Sequence, residues 1–154
     1  IIDRIETSDW TNNENSITVI ISNSGSFEYS LDNETYQDEN TFTNLTPGIY
    51  TVYVQDKLGC GLVQEEVWLL YYPYFFTPNN DNYNDTWFIA NSEKEPDLKI
   101  YIYDRYGKLI KYLDGQDKSW DGTYNGNQAV STDYWFVVSR QDGRTHRGHF
   151  TLKR

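Results

Sequence analysis

Apolar and polar positions along this chain alternate in short runs. Phe27-Glu28-Tyr29-Ser30-Leu31 does so strictly. Ile49-Tyr50-Thr51-Val52-Tyr53-Val54 carries the β-branched and aromatic side chains that suit a pleated, half-buried surface. Ile17 to Ile21, Val63 to Leu70 and Thr132 to Val138 read the same way. In the run from Leu98 onward, Ile100 and Ile102 fall on one face of a strand and Tyr101 and Tyr103 on the other. Turn chemistry separates the runs, at Ser22-Asn23-Ser24-Gly25-Ser26, Asp32-Asn33, Leu45-Thr46-Pro47-Gly48 and Asp56-Lys57-Leu58-Gly59. In the third of these, Pro47 presets φ and Gly48 is expected to supply a positive φ. No run keeps the i, i+3, i+4 spacing of an amphipathic helix over three turns. Short strands punctuated this often predict an all-β chain built of sandwiches.

Charge divides the chain. Residues 1–70 hold 2 basic and 12 acidic side chains, whereas residues 71–154 hold 11 of each. The whole net charge of −10 therefore belongs to the first half, which favours two domains over one. The predicted boundary lies in Leu70-Tyr71-Tyr72-Pro73-Tyr74, where Pro73 lacks a donor and suits an edge or linker. The expected domains are 1–70 and 71–154. The missing initiator Met and basic-apolar leader read as those of a piece cut from a longer protein.

Several function classes lose ground on composition. An acidic chain repels nucleic-acid phosphates. No segment approaches the roughly 20 apolar residues of a membrane span, so direct membrane insertion is not expected. Cys60 is the single cysteine, which leaves no internal disulfide and no cysteine zinc site. His146 and His149, three apart, fall on opposite faces of a strand, a poor metal pair. Asp121 before Gly122 reads as a turn residue beside a core Trp120. No Ser/His/Asp or Cys/His arrangement and no phosphate loop is legible, so catalysis is not expected.

Three clusters remain. Asn79, Asp81 and Asp85 place oxygens at alternate positions, a spacing that hard cations such as calcium accept. The competing reading is a loop folded on its own amides by Asx-turns; calcium is the one cofactor this spacing suggests, and the loop reading expects none. Tyr71, Tyr72, Tyr74, Tyr101, Tyr103 and Trp135 could line a sugar-stacking platform, or be buried in the sandwich. Arg140, Arg144, Arg147, Lys153 and Arg154 gather at the carboxyl end, either guarding an edge strand or offering a positive patch.

Phe75-Phe76-Thr77-Pro78-Asn79-Asn80-Asp81-Asn82-Tyr83-Asn84-Asp85-Thr86-Trp87 resembles the opening signature F-T-P-N-G-D-G-x-N-D-x-W of a known family. It is the gliding-motility-associated C-terminal domain, also called the type B sorting domain of the type IX secretion system. Asn80 and Asn82 stand where that family has Gly. The Leu98 to Ile110 hairpin, Trp120-Asp121-Gly122-Thr123-Tyr124-Asn125-Gly126, Thr132 to Val138 and Gly148 to Arg154 match the later signatures in order. The first half resembles a repeat of large surface adhesins of the SprB type, through Phe42 to Gly48 and Val54 to Cys60.

The resemblance implies two immunoglobulin-like β-sandwich domains in tandem, the second seven-stranded. It implies a secretion signal that does no chemistry and is read as a folded domain by the type IX translocon, with a PorP/SprF-family outer-membrane protein as partner. The cargo would be a large cell-surface protein such as a gliding adhesin, exported through the periplasm. By position, Arg105, Gly107, Lys108, Gly148, Lys153 and Arg154 are the expected recognition residues, with Asn79, Asp81 and Asp85 shaping the opening loop. The alternative is an adhesive or carbohydrate-binding module.

Overall fold

In a computed structural model the chain is all-β, and residues 2–59, 61–114 and 116–154 are described; Cys60 lies outside them. It divides into two compact units, one ending at Tyr71 and the other formed by Tyr72–Arg154.

In the first unit, alternation turns Ile17 and Val19 of β2 (Asn15–Ile21) to one side, and the rest of the unit covers them. β2 lies between β1 (Ile2–Ser8) and β4 (Thr41–Leu45), while β3 (Phe27–Ser30), β5 (Gly48–Asp56) and β6 (Leu62–Leu69) form a second antiparallel sheet in the order β3-β5-β6. Tyr29, Val52, Val54, Val67 and Leu69 of the second sheet close over Ile17 and Val19 of the first. The chain changes sheet at β2–β3, β3–β4 and β4–β5, which places sequence neighbours in opposite layers. β1 and β4 are not foreshadowed by the sequence pattern, because Asp3, Arg4, Glu6, Thr43 and Asn44 leave them little apolar alternation.

The corner into β5 differs from expectation. Gly48 takes an ordinary φ and begins the strand; the left-handed residue is Asn44, at φ 56°. Asn44 lies within β4, at the bulge where its register against β2 shifts, so the corner itself carries no left-handed residue. The Tyr50 hydroxyl closes the corner by donating to the Thr46 carbonyl at 2.6 Å.

A second local device lies between β3 and β4. The Asp32 carboxylate accepts N–H bonds from Thr35 (2.7 Å) and Glu34 (2.8 Å) and the Ser30 hydroxyl (2.8 Å). Those bonds hold its pKa at about 2, below the ordinary 3.8. A depressed carboxyl adds stability that is complete above its unfolded value and disappears as pH falls through the folded one. The urea midpoint of the first unit should therefore drop between pH 4 and pH 2. Asp32→Ala should flatten that part of the profile, which parallel urea titrations of the two chains would show.

The second unit has seven strands among the described residues, but they do not form two matched sheets. β7 (Phe75–Phe76), β13 (Thr145–Leu152), β12 (Asp133–Ser139), β8 (Lys99–Tyr103) and β9 (Leu109–Leu113) build one sheet in that order, with β7 parallel to β13. β10 (Thr123–Tyr124) and β11 (Asn127–Gln128) make a separate hairpin. The facing layer is mostly irregular chain, interrupted at Pro78, the Asn-rich loop and Pro96 and containing one 3-10 turn, Ser92–Lys94. Side chains cover the sheet where strands do not. Trp87 and Trp120 are joined by reciprocal backbone bonds of 2.8 and 2.9 Å, and both rings are buried with Phe76, Phe136 and Phe150. A tyrosine hydroxyl again closes a corner: Tyr134, entering β12, donates to the Val130 carbonyl at 2.7 Å.

Candidate recognition surface

The opening loop is built on its own amides. Asp85 accepts N–H bonds from Asn79 (3.0 Å), Asn80 (2.9 Å) and Asn82 (2.8 Å). Asn79 and Asp81 accept from Asp81 and Tyr83 in the same manner. Asn80 and Asn82 stand at φ 61° and 68°, the left-handed region where the family uses Gly. Asn tolerates that region because its short amide bonds locally. Withdrawal from water pushes the Asp85 carboxyl up, but the backbone amides outweigh it and hold it below the ordinary range. The oxygens that suggested calcium thus face N–H donors, as the Asx-turn reading requires.

The β8–β9 tip is fixed in the same way. Asp104 accepts from the Tyr106 (2.9 Å) and Lys108 (3.0 Å) amides, and Gly107 at φ 81° completes the turn. This leaves Arg105, Tyr106 and Lys108 on the surface, with Tyr106 81% exposed. The Arg105 guanidinium lies 5.2 Å from the Tyr106 ring, and the Lys108 ammonium 4.7 Å from the Tyr124 ring. Both are cation–π placements. Between this tip and the chain from Tyr124 to Thr132 opens a cleft of about 760 Å³.

The carboxyl end is not a free edge; it supports the far wall of that cleft from behind, through Ala129. β13 lies between β12 and β7, and Thr151 and Lys153 donate to the Tyr74 and Phe76 carbonyls at 2.9 and 3.0 Å. Arg154 reaches inward, donating from Nη2 to Gly122 O (2.8 Å) and Ala129 O (3.2 Å). It is a staple as well as a charge. Lys153 rests 4.8 Å over the exposed Phe75 ring. Gly148 has a packing reason of its own: a Cβ there would lie 2.8 Å from the Phe136 ring and 3.0 Å from the Tyr72 hydroxyl.

The positive carboxyl-terminal cluster does not survive folding as one patch. Arg140 is buried against Glu95, and Arg144 pairs with Asp142 at 2.8 Å. His146 is half-buried, its ring 6.0 Å from Tyr72 and 6.1 Å from Phe136, whereas His149 is exposed. The tyrosines also part company. Tyr72 packs edge-on against Phe136 at 4.6 Å, whereas Tyr101, Tyr103 and Trp135 share the outer face of the sheet.

Of the expected recognition residues, Arg105 and Lys108 flank the cleft and Arg154 holds its opposite wall. Gly107 and Gly148 line a second trough on the outer sheet face, while Lys153, just past β13, stands apart over Phe75 of β7. Sequence reasoning missed Tyr124, the exposed Val130 and above all Gly122. At φ 82°, a Cβ on Gly122 would meet Leu152 at 3.1 Å and both Arg154 and Pro78 at 3.3 Å. It joins the opening loop to the carboxyl end. Gly122→Ala should cost about 1–3 kcal/mol, since strained φ and crowding add. A chemical-denaturation midpoint would register this, and an unchanged midpoint would refute the packing role.

Exposed loop tips held by Asx-type bonds thus stand on a close-packed aromatic core. Residues 70–152 match the CHU_C Type IX secretion signal domain, more than half of the chain, and the chain belongs to that family. A domain of this family directs its protein into type IX secretion, and so to the cell surface or the medium.

Among curated proteins no relative matches. Solved structures with similarity include dimeric latent PorU from Porphyromonas gingivalis, at 14% identity and TM-score 0.36, covering 99% of this chain and 20% of that one. The BSP domain of a biofilm associated protein follows at 13% identity and TM-score 0.32, covering 99% and 29%. The FN1-FN3 domains of chicken CNTN1 stand at 12% identity and TM-score 0.28, covering 99% and 67%. The chain thus spans less than a third of the first two.

Proposed function

We propose that the second unit is a non-catalytic address, read as a folded domain by the type IX outer-membrane translocon with a PorP/SprF-family membrane protein as docking partner. The observation that carries this is the β8–β9 tip. Arg105 and Lys108 are displayed by a turn locked through Asp104 and Gly107, at the mouth of a cleft whose far wall Arg154 holds. A receptor needs a fixed surface, and these bonds supply one. The first unit serves as an immunoglobulin-like adhesin-type repeat, in tandem with an immunoglobulin-like signal domain. In support, each unit closes a corner with a tyrosine hydroxyl bonded to the carbonyl four residues upstream, as Greek-key sandwiches do. The cargo is a large surface protein such as a gliding adhesin, which crosses the periplasm before export.

The test is export. The chain is fused behind a periplasm-directed fluorescent reporter in a type IX-competent gliding bacterium, with a translocon-deficient strain as control. Reporter outside the competent cells alone supports the reading. Arg105→Glu with Lys108→Glu should cut export at least about tenfold while leaving the thermal midpoint unchanged, because opposed charges at a docking surface weaken encounter and complex alike. Full export of that double variant would move the contact elsewhere, and periplasmic retention of the parent chain would end the address reading.

A further inference from the structure

The outer face of the five-stranded sheet carries side chains that a solvent-facing sheet seldom displays together. Register sets Trp135 of β12 between His149 of β13 and Tyr103 of β8. The next row sets Val137 between Arg147 and Tyr101, and Tyr112 of β9 continues it with its ring 5.1 Å from that of Tyr101. Residues two apart on a strand share a face, so the two rows form one surface. A trough of about 750 Å³ runs along it, with Arg105 at one end. Trp135 is 42% exposed, and the His149 ring lies 6.3 Å away.

The charge of this face departs from that of its unit. Residues 71–154 hold 11 basic and 11 acidic side chains, yet the charged lining is Arg105, Arg147 and one carboxylate, Asp104. Oδ1 of Asp104 already accepts from two amides of the turn. No carboxylate among the described residues pairs with Arg105 or Arg147.

We propose that this trough binds an acidic polysaccharide, a function distinct from the export address although Arg105 borders both sites. Flat aromatic rings with polar rims offer pyranose rings an apolar floor. A guanidinium fork takes a carboxylate by two parallel bonds, which positions Arg147 and Arg105 for uronate groups. An acidic peptide would bind differently. Extended peptides add to a sheet edge through main-chain bonds, whereas Trp135, Tyr101, Tyr103 and His149 lie across the face of β12, β8 and β13, interior strands paired on both sides, and Tyr112 alone stands on the edge strand β9. The sugar is held by stacking and selected by charge.

The full chain is tested by affinity electrophoresis through gels containing alginate, with laminarin as neutral glucan and poly-glutamate as a sugar-free polyanion. Alginate should retard the chain more than either comparator does. Trp135→Ala and, separately, Arg147→Gln should each weaken alginate binding at least tenfold. Tyr83→Ala, removing an exposed aromatic of the opening loop, should change nothing. Both test positions point to solvent, and an unchanged far-UV spectrum confirms that each variant is folded. The proposal is overturned by absence of retardation, by alginate binding indifferent to Trp135, by laminarin binding as tight as alginate, or by poly-glutamate matching alginate.

Discussion

Trp87→Ala is expected to remove about 3–5 kcal/mol from the second unit, the range for deleting a large buried aromatic. A domain of this size holds on the order of 5–15 kcal/mol in total, so much of its stability goes with one side chain. The Trp87 ring stacks on Phe150 at 4.2 Å and 14°, and meets Phe136 at 5.0 Å. Its indole N–H donates to the Pro73 carbonyl at 2.9 Å. Its backbone exchanges the two bonds with Trp120 that close the layer opposite the sheet. Alanine opens a cavity between layers and strands the Pro73 carbonyl. At about 4–8 °C per kcal/mol, the thermal midpoint should fall by at least about 12 °C, measured by far-UV circular dichroism. Trp87→Phe keeps the stack and loses the hydrogen bond, so it should cost roughly 1–3 kcal/mol. A loss below about 1.5 kcal/mol in the alanine variant would mean that neighbouring rings collapse into the space.

The expected export defect follows the same division between core and surface. Core variants should fail by unfolding the address, whereas charge reversal at Arg105 and Lys108 should leave a stable domain that is not read. Only the second kind of failure separates recognition from folding, which is why the thermal midpoint accompanies the export assay.

What the sequence made legible was local. β2, β3, β5, β6, β8, β12 and β13 announce themselves because alternation with β-branched and aromatic residues is a two-residue signal. The Asp85, Asp104 and Asp32 turns are equally local, each carboxylate bonding amides no more than six residues away. β1 and β4 were invisible because their sheet partners, not their own patterns, hold them. Arg154 read as a free positive charge, yet its carbonyl acceptors lie 25 and 32 residues upstream. Gly148 read as part of a carboxyl-terminal motif, while the reason for it is a ring on the neighbouring strand. The family resemblance implies a seven-stranded sandwich; seven strands stand among the described residues of the unit, but not as two facing sheets. Nothing in the pattern says that paired tryptophans will cover a sheet face in place of a second sheet.

Arg140 is the strongest case of non-local meaning, and it yields the second large prediction. Beside four other cationic residues it reads as surface charge; in the fold it is 6% exposed and Glu95 3%. Arg140 donates from Nη2 to Glu95 Oε2 at 2.6 Å and from Nε at 3.1 Å, and the Gln141 amide reaches the other oxygen at 3.4 Å. The pair ties the loop after Ser92–Lys94 to the β12–β13 turn, 45 residues away. Breaking a buried pair strands a charge, so Glu95→Ala and Arg140→Ala should each cost about 3–5 kcal/mol. Replacing both partners by apolar residues of similar volume, as in Glu95→Leu with Arg140→Met, should recover most of that loss and can exceed the parent stability. Urea-denaturation free energies of the two single variants and the double apolar variant decide the matter. If the double variant is as unstable as the singles, the pair contributes net stability. If it recovers while amide exchange in residues 91–98 accelerates, the pair instead fixes where that loop docks. Near-neutral single variants would mean that water reaches the site, and the burial assigned to it would be wrong.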